Sequence, residues 1–128
     1  MKIIQIILVI TFAIFSSVFA DRPMPKDVSP IIHDEIKYVV SHWDTSGNRF
    51  QNGGYIEAWD NKTNKLLWVL KIYTIEYDNK IERDVQDIFI TKVEVKDGKL
   101  IILNEANDEF TLDLKTKEIS PENKIYKK

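Results

Sequence analysis

Beyond residue 35 the chain alternates apolar and polar side chains with a period of two, which is the spacing of a pleated strand half buried against a core. Ile36–Trp43 is the first such run, with Ile36, Tyr38 and Val40 on one face. Tyr55–Asp60 is the second. Leu66–Tyr77 is the third, rich in β-branched and aromatic residues and apolar on both faces over its first half, which predicts a central strand covered on both sides. Ile88–Val95, Lys99–Leu103 and Glu109–Leu114 complete a set of six. In the last, Phe110, Leu112 and Leu114 face one way while Glu109, Thr111 and Asp113 face the other, so one side is wet.

The segments between them carry turn chemistry. Asp97-Gly98 predicts a two-residue hairpin, whose central residues both need positive φ. Asn61–Asn64 and Asn104–Asp108 predict further turns, and Asp44–Gly54 is the longest polar loop. Asp78–Asp87 is acidic, and Ile81 and Val85, four apart, suggest one helical turn. Ile119 closes a short edge strand before Pro121. Short strands joined mostly by tight turns predict an all-β fold, a small antiparallel meander of about six strands. Its apolar face must be covered by curling into a partial barrel, by forming a sandwich or by docking on a partner.

The first twenty residues follow a different rule. Lys2 precedes an apolar run, Ile3–Phe15, broken only by Gln5 and Thr11. Ser16, Ser17, Val18, Phe19 and Ala20 follow, with Val18 and Ala20 at the −3 and −1 positions of a cut after Ala20. This is the order of a secretory signal peptide. The competing expectation is an uncleaved anchor, but a spanning helix needs about 20 apolar residues and this run is shorter. The expected organisation is a leader at 1–20, an irregular, proline-bearing lead-in at 21–35, one all-β domain at 36–119 and a flexible tail at 120–128. The expected location is secreted or periplasmic, with no membrane association after cleavage.

Composition narrows the partners. The whole chain has a formal net charge of −2, which becomes −3 once Lys2 leaves with the leader. No basic stripe is present, so no nucleic-acid partner is expected. There is no cysteine, so packing alone holds the fold.

The stretch Gly54-Tyr55-Ile56-Glu57-Ala58-Trp59-Asp60, then Thr63, then Lys65-Leu66-Leu67-Trp68, resembles one repeat of the quinoprotein-type β-propellers. Their repeat has a strand ending Ala-x-Asp, a Thr-Gly turn and then Lys-x-x-Trp; Asn64 stands here where the turn glycine is usual, and asparagine also reaches the left-handed region. Weaker echoes occur at Gly98–Ile101 and Phe110–Lys117. The resemblance implies blade-like hairpins. A closed propeller uses typically 4–8 blades, and this chain supplies two at most, so no cofactor and no dehydrogenase activity are expected. Over most of 33–119 the chain also resembles a group of small exported bacterial proteins of unknown function, through Gly53–Asp60, Asp84–Asp87, Phe89-Ile90-Thr91, Gly98-Lys99-Leu100 and Asn104-Glu105.

Chemistry-bearing residues are few. His33 and His42 are the only histidines; with Asp34, Glu35 or Asp44 they offer at most a sparse ligand set, and no metal site is expected. Asp44-x-Ser46-x-Asn48 begins like a calcium loop, but Arg49 occupies the glycine position. Glu76, Asp78, Glu82, Asp84 and Asp87 read as a solvated turn. Asn61-Lys62-Thr63 matches a glycosylation sequon and equally an ordinary turn. There is no nucleophile elbow and no phosphate-cradling glycine loop. Glu57 lies between Tyr55 and Trp59 on one strand face, a trio suited to gripping a sugar or to a cross-strand ladder. Trp43 borders the long loop. The favoured expectation is therefore a non-enzymatic binding or structural module that meets a protein or carbohydrate partner through Trp43, Tyr55, Glu57 and Trp59, or through an exposed sheet edge. The alternative is a carbohydrate-active hydrolase pairing Glu57 with an acid from Asp78–Asp87.

Overall fold

The computed structural model describes residues 22–128, so the segment read as a leader lies outside the described residues. Among the described residues there are ten strands: β1 (Ile31–His33), β2 (Ile36–Ser41), β3 (Tyr55–Asp60), β4 (Leu66–Lys71), β5 (Thr74–Glu76), β6 (Ile90–Lys96), β7 (Lys99–Asn104), β8 (Glu109–Asp113), β9 (Ile119–Ser120) and β10 (Ile125–Lys127). The helical content among the described residues is one 3₁₀ turn, Asp84–Gln86, and no helix there is long and apolar enough to cross a membrane. The fold is all-β, as the alternation predicts.

The strands form two four-stranded antiparallel meanders, β1-β2-β3-β4 and β6-β7-β8-β9, with β5 and β10 pairing in parallel beside them. Neither meander closes into a barrel. The two are built on one plan. The first hairpin of each turns through two residues of positive φ, Asp34-Glu35 in one and Asp97-Gly98 in the other. The last hairpin of each is capped by an aspartate: Asp60 Oδ1 accepts from the backbone N–H of Lys62 and Thr63 at 2.8 and 2.9 Å, and Asp113 Oδ1 accepts from Lys115 and Thr116, both at 2.9 Å. A left-handed residue follows in each, Asn64 or Lys117. Such side chains mimic a backbone turn, so Asp-x-Lys-Thr writes the same bend twice.

The two meanders pack on one another through a shared core. The β1–β2 turn lies beside the β6–β7 turn, and His33, Asp34 and Ile36 line a cavity of about 280 Å³ with Gly98, Leu114 and Lys115. One core fills the interface. Tyr38, Ile56 and Ala58 from the first sheet meet Leu100, Ile102, Phe110 and Leu112 from the second. Each large side chain so buried contributes about 2 kcal/mol. Ala58 pairs with Tyr38 on one side and Trp68 on the other, and its small side chain lets those rings come within 5.9 Å across it.

Three expectations change. The third run, Leu66–Tyr77, is not one central strand. β4 is the edge of its sheet, and Leu66 and Leu67 stay about half exposed, at 47% and 49%. The chain then leaves the sheet at Ile72-Tyr73, because Gln51 captures it: Nε2 donates to Tyr73 O at 3.0 Å and Oε1 accepts from Ile75 N at 2.8 Å. The acidic stretch has its helical turn at Asp84–Gln86, yet Ile81 and Val85 point to solvent. Gln86 organises it instead, bonding Asp78 N and the carbonyls of Asp78, Ile81 and Glu82. Residues 120–128, expected as a tail, carry β10, because Tyr126 sets its ring edge-on against Tyr73 at 5.3 Å and its hydroxyl donates to Asp108.

Candidate functional site

The two meanders differ most in the connection between their second and third strands. β7 and β8 are joined by a tight turn, whereas β2 and β3 are joined by residues 42–54. An insertion of that length on a rigid sheet is where function concentrates.

The loop is tied at nearly every residue. Asp44 Oδ1 accepts from Ser46 N, Ser46 Oγ and Gly47 N at 2.9–3.2 Å, and its Oδ2 accepts from Arg49 N at 3.0 Å. Desolvation raises the Asp44 pKa, but these bonds outweigh it and the net shift is downward. The calcium-like opening of this loop thus serves as its internal brace. Asn52 Oδ1 accepts from Asp44 N at 3.2 Å, and Asn52 Nδ2 donates to Asp87 at 3.3 Å. Gly53 N donates to His42 O at 2.7 Å. Arg83 donates to Phe50 O and stacks over Tyr77, 4.0 Å from the ring centroid.

On this braced loop the Phe50 side chain is 90% exposed, and Trp43 at its start is 43% exposed. Met24, Val85 and Ile81, from the lead-in and the 3₁₀ region, are exposed as well. Trp43 is not free on both sides: its ring meets Phe89 at 5.3 Å, and it lines a cavity of about 140 Å³ with Pro23, Met24 and Phe89.

Tyr55, Glu57 and Trp59 do share the outer face of β3, since Ile56 and Ala58 between them are buried. They do not form an open sugar platform. Arg49 reaches down from the loop, places its guanidinium 4.8 Å from the Tyr55 ring centroid, and donates from Nη2 to Glu57 Oε2 at 2.6 Å and from Nη1 to Ser41 Oγ at 2.6 Å. Trp59 Nε1 donates to the other oxygen, Glu57 Oε1, at 3.2 Å. Both Glu57 oxygens are therefore engaged, and no carboxylate of Asp78–Asp87 is among their partners. The ladder reading describes the geometry, with an arginine from the loop as the cation. Trp43 belongs to a different surface from this trio, so the four expected binding residues divide into two places.

The histidines stand at opposite ends of β2. His33 Nε2 lies 3.3 Å from Asp34, while His42 is buried with Nε2 donating to Lys26 O at 3.0 Å. Among the described residues no group of three or more acidic or histidine side chains is arranged to hold a metal ion. Sequence reasoning passed over Arg49 and Phe50. Arg49 gave no periodic signal. Phe50 gave a different signal, as the lone large apolar residue inside the polar loop Asp44–Gly54.

No family model matches the chain, and a search of the curated proteins returns no match.

Proposed function

We propose that this protein is an exported, non-enzymatic binding module of the cell envelope or extracellular space, and that it meets its partner with the loop carrying Phe50 beside Trp43. The observation that carries this is the exposure of Phe50 on a loop held by the Asp44, Asn52 and Arg49 bonds. Leaving a phenyl ring in water gives up about 2 kcal/mol of burial. Doing so on a braced backbone is preorganisation: the ordering entropy of the loop is already spent in folding, so little is lost when a partner covers the ring. Aromatic anchors of this kind carry most of the energy of protein interfaces.

Export rests on Lys2, the apolar run Ile3–Phe15 and the small residues at Val18 and Ala20. The quinoprotein-type resemblance belongs to the same proposal. Two meanders of like plan, each ending in an Asp-x-Lys-Thr turn, support the reading of the chain as two blade-like units, with the inserted loop of the first as its working part.

The test is affinity capture from envelope extract with crosslinking, comparing the native protein with Phe50→Ser and with Trp43→Ser/Phe50→Ser. A specific partner recovered by the native protein should be lost from both variants while their circular-dichroism spectra stay the same. Equal recovery by folded Phe50→Ser overturns the loop as the contact surface. N-terminal sequencing of the cell-free protein should begin at Asp21; retention of Met1 overturns export.

A further inference from the structure

Residues 22–26 cross one end of the domain as a strap. At its start the Arg22 guanidinium lies over the Phe89 ring, 4.7 Å from the centroid. It donates to the Asp84 carbonyl at 2.9 Å, to the Asp87 carbonyl and to the Glu105 carboxylate. Four residues on, the Lys26 carbonyl accepts from His42 Nε2. Between these anchors Pro23 and Pro25 fix φ, lack a donor and hold their predecessors extended.

The floor beneath is aromatic and preformed. Phe89 is buried, with the His42 and Trp43 rings set edge-on against it at 5.1 and 5.3 Å. The strap does not fill this floor. A cavity of about 310 Å³ remains between it and Phe89, Ile90 and Thr91, a second lies on the Trp43 side, and Met24 is turned out to solvent. Among the described residues the buried His42 Nδ1 has no hydrogen-bond partner.

A rigid aromatic floor, a carboxylate with two carbonyls at one end, and the His42 Nε2 N–H bonded to a carbonyl at the other are the elements by which proteins recognise extended proline-rich segments. Such segments bind well because their fixed φ leaves little conformational entropy to lose. We propose that this groove is a recognition site for an extended segment of a partner protein, one carrying an arginine followed by alternate prolines, and that the lead-in is its resident occupant in cis. The chemistry of the occupant defines the ligand: Arg22 satisfies Glu105 and stacks on Phe89, and the prolines bridge to the His42 anchor. The occupant is also a poor fit. It is tied to β1 five residues after Lys26, which fixes its register, and Met24 only borders the cavity while staying 78% exposed. A free segment with a large apolar residue at that point fills the space the strap leaves. This deepens the binding-module reading, since the groove adjoins Trp43, and its test uses a defined peptide, so it stands or falls apart from capture through Phe50.

The probe is a labelled peptide of residues 21–30, titrated against the full-length protein. In the native protein the strap competes at high effective concentration, so binding is weak. Arg22→Ala, which removes the anchor at the start of the strap, should bind the peptide at least about tenfold more tightly than the native protein, and adding Glu105→Gln should remove about that gain. A peptide with alanine in place of its arginine should not bind. Pro23→Gly/Pro25→Gly loosens the strap without altering the groove and provides a second releasing variant. The proposal is overturned if both folded releasing variants ignore the peptide, or if the arginine-free peptide binds equally well. A native protein that is dimeric through exchanged lead-ins overturns it too, by making a second copy the occupant.

Discussion

Arg49 and Glu57 form an ion pair at 2.6 Å in which both side chains are mostly covered, 12% and 15% exposed, although one belongs to the loop and the other to the middle of β3. The pair is the rivet between the inserted loop and the sheet. It fixes the residue immediately before Phe50, and it covers the face of Tyr55. Glu57 thereby becomes a structural carboxylate, and the loop becomes a rigid projection. Removing one partner strands the other in a poorly hydrated place, whereas removing both does not. Arg49→Met and Glu57→Gln should each lower unfolding free energy by about 2–3 kcal/mol, and the double variant should lose less than the two losses added. Urea unfolding of the three variants and the native protein closes this cycle. Additive losses would mean that the pair contributes nothing as a pair.

Gly53 is the tightest backbone contact of the loop. Its φ is +75°, and a Cβ there would stand 2.4 Å from the Ile88 carbonyl oxygen. That oxygen is held in place as acceptor of the Tyr73 hydroxyl at 2.6 Å. Gly53→Ala should therefore cost about 3 kcal/mol or more, the sum of left-handed strain and a displaced carbonyl. Gly47 has nearly the same φ, +72°, but nothing lies within 4 Å of its would-be Cβ, so Gly47→Ala should cost only about 1 kcal/mol. Equal unfolding midpoints for the two variants would show that the Ile88 contact yields freely.

The period-two pattern located the six main strands because each has a face in a shared core: Tyr55–Asp60 is β3 to the residue, and Asp97-Gly98 is the β6–β7 turn. It failed where order comes from a single side chain. The break that separates β5 from β4 exists through Gln51, β10 through Tyr126, and the strap through Arg22; none of these leaves a trace in the local alternation. It also misplaced β4, because apolar residues on both faces signify burial only when both faces are covered, and Leu67 at the sheet edge is not. The candidate site was legible in the same measure. The shared face of Tyr55, Glu57 and Trp59 follows from spacing, but their closure by Arg49 needs the path of a loop that has no period.

The phenols give the domain an alkaline limit. Burial raises the pKa of Tyr77, and the hydrogen bond its hydroxyl donates to Asp87 raises it further, to about 12; burial and the bond to Asp108 do the same for Tyr126, also to about 12. Tyr73, the most deeply buried, is pushed higher still, by burial first. Unfolded tyrosines ionise near 10.0. The folded protein therefore holds protons that the unfolded chain releases. The stability these groups contribute is complete below about pH 10 and is lost as pH rises toward about 12. The urea midpoint should be level up to about pH 9 and then fall steeply. Tyr77→Phe/Tyr126→Phe should start from a lower midpoint, having lost the four hydrogen bonds that link the two hydroxyls to Asp87, Asn52, Asp108 and Asn104, and should decline less steeply above pH 10. Phenolate absorbance provides the direct check: Tyr38 and Tyr55 are also raised, by burial above all, but Tyr77, Tyr126 and Tyr73 should be the last to ionise. A single titration of all five tyrosines near pH 10 in the folded protein would refute the buried phenol–carboxylate pairs.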